Sequence, residues 1–350
     1  MSAIHDISRF QMDLSLKQER PVLFISYPRT TSNLLVRILN LDNQPNIITG
    51  PYQSGYHFLP IFIHQNQNDI VDVPDSTYTE EQRSSLRRMS QECFEKLEET
   101  RQRGEEENKL FFTKEHIIFL LDSVLLEKHL AKTSDPLTEE AFVPLDKVGS
   151  SRSFLNDTIL SDDYLLLWQP LFLIRHPLKT FPSILRTQTA SPNPEKQYAN
   201  YSLYHFIRNL YDFYSKHLTK KSSTPCNPST GSRNQPSSDE LSWPIIIDAD
   251  DYIKHPNLVK RLAVAIGLDV SKLQFSWAAA PSEKPSDEML KTLLSSSGVE
   301  EDKLARGLTM EAERPKWVEE FGEESADRLE RQVRDALPDY EYLVSKRVLP

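Results

Sequence analysis

The chain has 350 residues, 38% apolar and 26% charged, which suits a sizeable core and excludes a wholly disordered protein. A formal charge of -10 argues against non-specific nucleic-acid binding, and two cysteines, Cys93 and Cys226, cannot build a disulfide framework. Glycine is scarce, 9 residues in 350 against a usual share of about 7%, and neither G-x-G-x-x-G nor G-x-x-x-x-G-K-[ST] occurs, so both glycine-rich phosphate loops are excluded.

The N-terminus, MSAIHDISRF, lacks a basic-then-apolar leader pattern. The most apolar stretch, residues 117–126, is too short for a membrane span and contains Asp122. A cytoplasmic protein without membrane contact is expected. Residues 21–26 form a short uninterrupted apolar run, the pattern of a strand buried on both faces. A polar loop follows, then residues 34–39 as a helix, with Thr30, Thr31, Ser32 and Asn33 as capping-type residues. Gly50 to Gly55 is the nearest approach to a phosphate loop, but Tyr56 and His57 follow in place of a lysine.

Residues 79–109 are densely charged. Leu86, Met89, Cys93, Phe94 and Leu97 mark one apolar stripe of a surface helix, and Thr79 with Gln82 forms a capping-box pattern. Residues 110–113 and 171–174 read as two further buried strands, and residues 181–187 turn helical. Residues 198–216 form an aromatic helix whose stripe of Tyr204, Ile207, Tyr211 and Tyr214 is expected in the core. Residues 219–242, rich in Ser, Thr, Pro and Asn, read as a flexible insertion loop. A fourth strand falls at 245–247, a helix at 257–266 ended by Gly267, and a charged terminal helix at 319–336. Strands alternating with helices predict a single α/β domain over 1–350, a central, mostly parallel sheet flanked by helices.

Three polar clusters directly follow buried strands, where open parallel sheets bind ligands. They are Tyr27 to Asn33, Lys114 to His116, and Arg175 to Ser183. The first can hold an anion without glycine, through helix N-terminal amides, the hydroxyls of Thr30, Thr31 and Ser32, the Asn33 amide, and the Arg29 fork. A capped helix with a surface arginine explains the same residues equally well.

Taken together, the clusters resemble the sulfotransferases that use 3′-phosphoadenosine 5′-phosphosulfate (PAPS). Tyr27-Pro28-Arg29-Thr30-Thr31-Ser32-Asn33 is similar to that family's 5′-phosphosulfate loop, with Arg29 at its lysine and Thr31 at its glycine. Lys114-Glu115-His116 resembles its K-x-H. Arg175-His176-Pro177, with Ser183 eight residues after the arginine, resembles its 3′-phosphate site. Asp250-Asp251-Tyr252, and Arg306-Gly307 with Lys316-Trp317 and Phe321, look like later parts of the pattern, with Arg314 and Lys316 as substitute cations. The resemblance covers residues 20 to 325 or so, omits the insertion, and is nearest in character to divergent fungal sulfotransferase-like proteins.

It implies a P-loop NTPase-like fold, PAPS as co-substrate, no metal, and a small-molecule acceptor, with natural-product tailoring as a suggested setting. His116 would be the base, Arg29 and Lys114 catalytic cations. Arg29, Thr30, Thr31, Ser32, Asn33, Arg175, Ser183, Arg306 and Gly307 would hold the donor. The stretch 50–63 is the expected acceptor wall. A non-catalytic nucleotide-binding scaffold and a P-loop kinase or NTPase remain as alternatives. No feature of the sequence defines an oligomeric state.

Overall fold

A computed structural model describes residues 20–68, 70, 75–130, 144, 151–189, 204–221, 241–280, 291–300 and 303–350. Five strands form one sheet: β1 (Val22–Ser26), β2 (Ile47–Thr49), β3 (Leu110–His116), β4 (Gln169–Ile174) and β5 (Ile245–Asp248). Their order is β2-β3-β1-β4-β5, and every pairing is parallel. β1, β4 and β5 are buried along their whole length or nearly so, as a sheet covered on both faces requires. One apolar core, with Phe111, Phe172, Ile246 and Trp317, lies on one face; the other, with Phe24, Phe112, Leu173 and Ile247, lies on the opposite face.

The four expected strands are all present. The fifth, β2, has three half-buried residues at the sheet edge, too few to show any periodicity. The charged helix is Glu80–Glu106, and both arms of its Thr79–Gln82 capping box are made. Cys93, Phe94 and Leu97 are buried on its stripe. In the helix Tyr204–Lys221, Tyr204, Ile207 and Tyr214 are fully buried, as expected of a core face, while Tyr211 of the same stripe is half-buried. The expected terminal helix is two, Met310–Phe321 and Glu323–Lys346. Gly322 separates them with a φ of +83, a left-handed backbone that a helix cannot pass through. Residues 222–240, most of the expected insertion, lie outside the described residues.

The strand order sets the site. β3 and β4 pair with β1 on opposite sides, so the loops after β1, β3 and β4 emerge next to one another at the carboxyl ends. The register aligns Ser26 with His116 on one side and with Leu173, two residues before Arg175, on the other.

Candidate functional site

The loop after β1 bends sharply without glycine. Arg29 and Thr31 take left-handed backbone, with φ of 65 and 67, an uncommon state for residues carrying a Cβ. Contacts from other segments hold it there. The Tyr252 hydroxyl donates to the Thr31 carbonyl at 3.0 Å and lies 2.7 Å from Thr31 Oγ1. Thr30, fully buried, donates from Oγ1 to the Tyr27 carbonyl at 2.7 Å. Thr31 is the N-cap of the helix Ser32–Leu39, and its hydroxyl bonds the Thr30 carbonyl instead of capping that helix.

Arg29 and Arg175 share the next layer. Arg29 Nε donates to Ser183 Oγ at 2.9 Å, so residues the resemblance assigns to two different phosphates meet directly. Arg175 donates from Nη1 to the Arg29 carbonyl at 2.9 Å and from Nη2 to the Lys303 carbonyl at 2.8 Å. Arg175 is 7% exposed, and its Nε is buried without a partner among the described residues. Burial, then the like charges of Arg175 and Arg186, lower the Arg29 guanidinium below its ordinary value. Both arginines stay protonated at ordinary pH, so the two loops carry two positive charges side by side.

His116 ends β3. Its Nδ1 lies 2.9 Å from Ser26 Oγ and its ring also contacts the Ser26 backbone; its Nε2 lies 2.9 Å from the Tyr56 hydroxyl. Burial, followed by the nearby Lys114 charge, pushes His116 well below its ordinary value, and the Arg29 charge adds to this. The ring is therefore neutral near pH 7. Lys114, fully buried, bonds Asn33 Oδ1 through Nζ and sits 4.5 Å from the centre of the Tyr56 ring. Burial draws Lys114 down to about 7, with Glu115 opposing.

On the opposite face of β3, Glu115 is pushed up to about 8 by burial and accepts from the His57 amide at 2.5 Å. His57 Nδ1 meets Thr113 Oγ1 at 3.1 Å, and burial lowers His57 to about 4. Among the described residues no group of three or more His, Cys, Asp or Glu could hold a metal ion. No described helix is long and apolar enough to cross a membrane.

The structure thus brings together Arg29, Thr30, Thr31, Ser32, Asn33, Lys114, His116, Arg175 and Ser183. The segment carrying Arg306 and Gly307 also reaches this layer, because the Ala305 amide donates to both Asp250 carboxylate oxygens at 2.9 Å and Lys303 receives Arg175. Arg306 itself is exposed. Arg314 is engaged elsewhere, bridging to Glu323, Asp327 and Glu330, and Lys316 pairs with Glu313 at 2.5 Å. His176 accepts from the Leu178 amide at 3.1 Å and packs on Tyr340.

Ser26 has no role in the sequence reading, where Tyr56 falls only within the stretch 50–63 and Tyr252 only within the resemblance at 250–252. For Tyr56 a signal exists in the preceding residue. A Cβ on Gly55 would lie 1.9 Å from the Lys114 carbonyl oxygen, so in this glycine-poor chain Gly55 marks where a loop presses onto β3.

A doubly flanked parallel sheet with clustered arginines, a neutral imidazole and a buried lysine at three adjacent strand ends is an arrangement suited to group transfer. The chain is 36% identical over 346 residues to Sulfotransferase ppzF of Metarhizium majus, covering 93% of this chain and 95% of that protein. It is 36% identical over 341 residues to Sulfotransferase ppzF of Metarhizium rileyi, with the same coverage of both. It belongs to the family of these fungal sulfotransferases. It matches no protein-family profile and no solved structure.

Proposed function

We propose that the protein transfers the sulfuryl group of PAPS to a hydroxyl or amine of a small organic acceptor, in the tailoring of a natural product. The observation that carries this reading is the bonded pair of anion loops: Arg175 to the Arg29 carbonyl, and Arg29 to Ser183. The guanidinium groups of Arg29, half-buried, and Arg175, buried, repel one another unless an anion lies between them, and Arg175 Nε has a hydrogen bond still to give. Both features suit a ligand with phosphates at two ends. Arg29, Thr30, Thr31, Ser32 and Asn33 would hold the 5′-phosphosulfate, and Arg175 and Ser183 the 3′-phosphate, with Arg306 and Gly307 alongside.

The chemistry fits the same residues. Sulfuryl transfer builds negative charge on the oxygen that stays with the phosphate, and fixed cations stabilise it. Arg29 keeps its proton at ordinary pH, so any proton taken by the leaving phosphate falls to Lys114, which burial has drawn to about 7. His116, neutral near pH 7, is the base for the acceptor. The cations that depress it are those a polyanionic donor would offset, so donor binding strengthens the base.

Isothermal titration with 3′,5′-ADP tests the reading. Binding that Arg175→Ala weakens by about 10- to 100-fold, as loss of a charge-assisted contact of roughly 1.5–3 kcal/mol requires, supports it. No binding, or an Arg175→Ala protein that binds like the parent, overturns it.

A further inference from the structure

The base of the proposed transfer does not face an open pocket. Both ring nitrogens of His116 are engaged. Nδ1 lies against Ser26, whose hydroxyl and carbonyl oxygens can both accept, and this surrounding favours the tautomer with the ring proton on Nδ1. Nε2 then holds the lone pair, and the Tyr56 hydroxyl, 2.9 Å away, donates to it. Tyr56 oxygen in turn accepts from the Ser32 hydroxyl, on the loop where the donor would sit. The polar order is Ser32 to Tyr56 to His116 to Ser26.

The backbone is arranged to hold that phenol in place. Tyr56 has a φ of 66, a strained state for a bulky residue. Its amide donates to the Lys114 carbonyl at 2.7 Å, and the next amide, of His57, is bonded to Glu115. Burial holds the Tyr56 phenol above its ordinary value, so it stays neutral, while the Ser32 hydrogen bond pulls the other way and the Lys114 ammonium sits over the ring face. An ordinary core tyrosine needs neither.

We propose that Tyr56 is a catalytic residue, relaying the acceptor's proton to His116. The inference rests on sulfuryl transfer as the activity. In the step, the acceptor oxygen forms its bond to sulfur as the bond from sulfur to the bridging phosphate oxygen breaks, and that electron pair leaves with 3′,5′-ADP. The acceptor's proton passes to the Tyr56 oxygen while the Tyr56 proton passes to His116 Nε2. Tyr56 ends as it began, and His116 ends protonated until it returns the proton to solvent.

The test is Tyr56→Phe in the full chain, with PAPS and 2-naphthol as acceptor and, in parallel, PAPS hydrolysis with water as acceptor. The relay predicts a kcat lower by at least about 10²-fold, with 3′,5′-ADP affinity unchanged. It also predicts a curved dependence of kcat on the deuterium fraction of the solvent for the parent, where two protons move, and a straight one for the variant. Independently of turnover, ¹⁵N-histidine NMR of the parent should show His116 with a bare Nε2 whose shift moves in Tyr56→Phe. A protonated Nε2 overturns the relay, as does a variant with equal or higher kcat, which would make Tyr56 a plug that the acceptor displaces. Absent 3′,5′-ADP binding rejects the underlying activity as well. Binding without turnover by either protein and with either acceptor rejects the relay while leaving the nucleotide site standing.

Discussion

Lys114 and His116 leave β3 on one face, Thr113 and Glu115 on the other, and both faces hold ionisable groups away from water. On the first face each of those groups has its partner: Lys114 has Asn33, and His116 has Ser26 and Tyr56. On the second, His57 Nε2 and Glu115 Oε2 are buried without a hydrogen bond among the described residues. An unsatisfied buried polar atom costs roughly 1–3 kcal/mol, so the second face strains the fold where the first has its groups bonded. The seam between them is the Gly55–Phe58 stretch, which bonds the Lys114 carbonyl and the Glu115 carboxylate in successive residues. The back face thus holds the loop whose Tyr56 bonds His116 on the front.

Disabling the front face should have the largest effect. His116→Ala is expected to lower sulfuryl transfer by about 10²–10⁴-fold and to leave 3′,5′-ADP affinity unchanged in calorimetry. Gly55→Ala strikes the seam. Its Cβ meets the Lys114 carbonyl, so the loop must shift, and thermal or urea unfolding should show a loss of about 1–3 kcal/mol together with reduced transfer. A variant as stable as the parent would mean that the two faces are not coupled through this loop.

Glu115→Gln isolates the back face, because the amide keeps the acceptor for the His57 N–H and removes the charge. Burial raises Glu115 from 4.5 to about 8, so ionising it costs the folded state more than the unfolded one. The parent therefore loses stability as pH climbs from near 4.5 through about 8, and the variant lacks that loss. Its melting temperature should exceed the parent's by an amount that grows between pH 5 and pH 8, by roughly 2–4 °C for each kcal/mol. Lys114, lowered to about 7, and His57, lowered to about 4, act in the opposite sense: each costs stability as pH falls, and both persist in the variant. A gap that shrinks with rising pH contradicts the assignment.

Two smaller effects sharpen the contrast. Addition of 3′,5′-ADP should raise the His116 pKa, seen by NMR titration, since the anion offsets Lys114 and Arg29. The back-face His57 should not respond. Thr31→Gly relieves a left-handed threonine but forfeits its bond to Tyr252 and loosens the unfolded chain, so stability should change by less than about 1 kcal/mol in chemical denaturation.

Much of the fold was readable from residues 21–26, 110–113, 171–174 and 245–247, because a strand buried on both faces is a bare apolar run, and the first three run into polar clusters. Adjacent strand ends place His116, Arg29 and Arg175 together as soon as the sheet order is known. The rest depends on long-range approach. Ser26 reads as a strand end and acquires a role only when β3 pairs in register beside it. Tyr252 reaches Thr31 from 221 residues away, and Tyr56 reaches His116 from 60. The C-terminal helix was drawn as one element because charge periodicity continues across Gly322, where the backbone turns.

The way the β1 loop is held bears on when the site can exist during synthesis. Its left-handed residues are anchored by Tyr252, Ser183 and Arg175, and Arg175 is itself tied to Lys303. A glycine-rich loop can take its shape locally, as soon as its own residues are made. This one, written near the start of the chain, has to wait for segments as distant as Lys303 to leave the ribosome and dock. The bonded arrangement of Arg29, Ser183 and Arg175 is therefore a late product of folding, and a chain truncated before residue 303 would carry the loop's residues without the means to hold them in place.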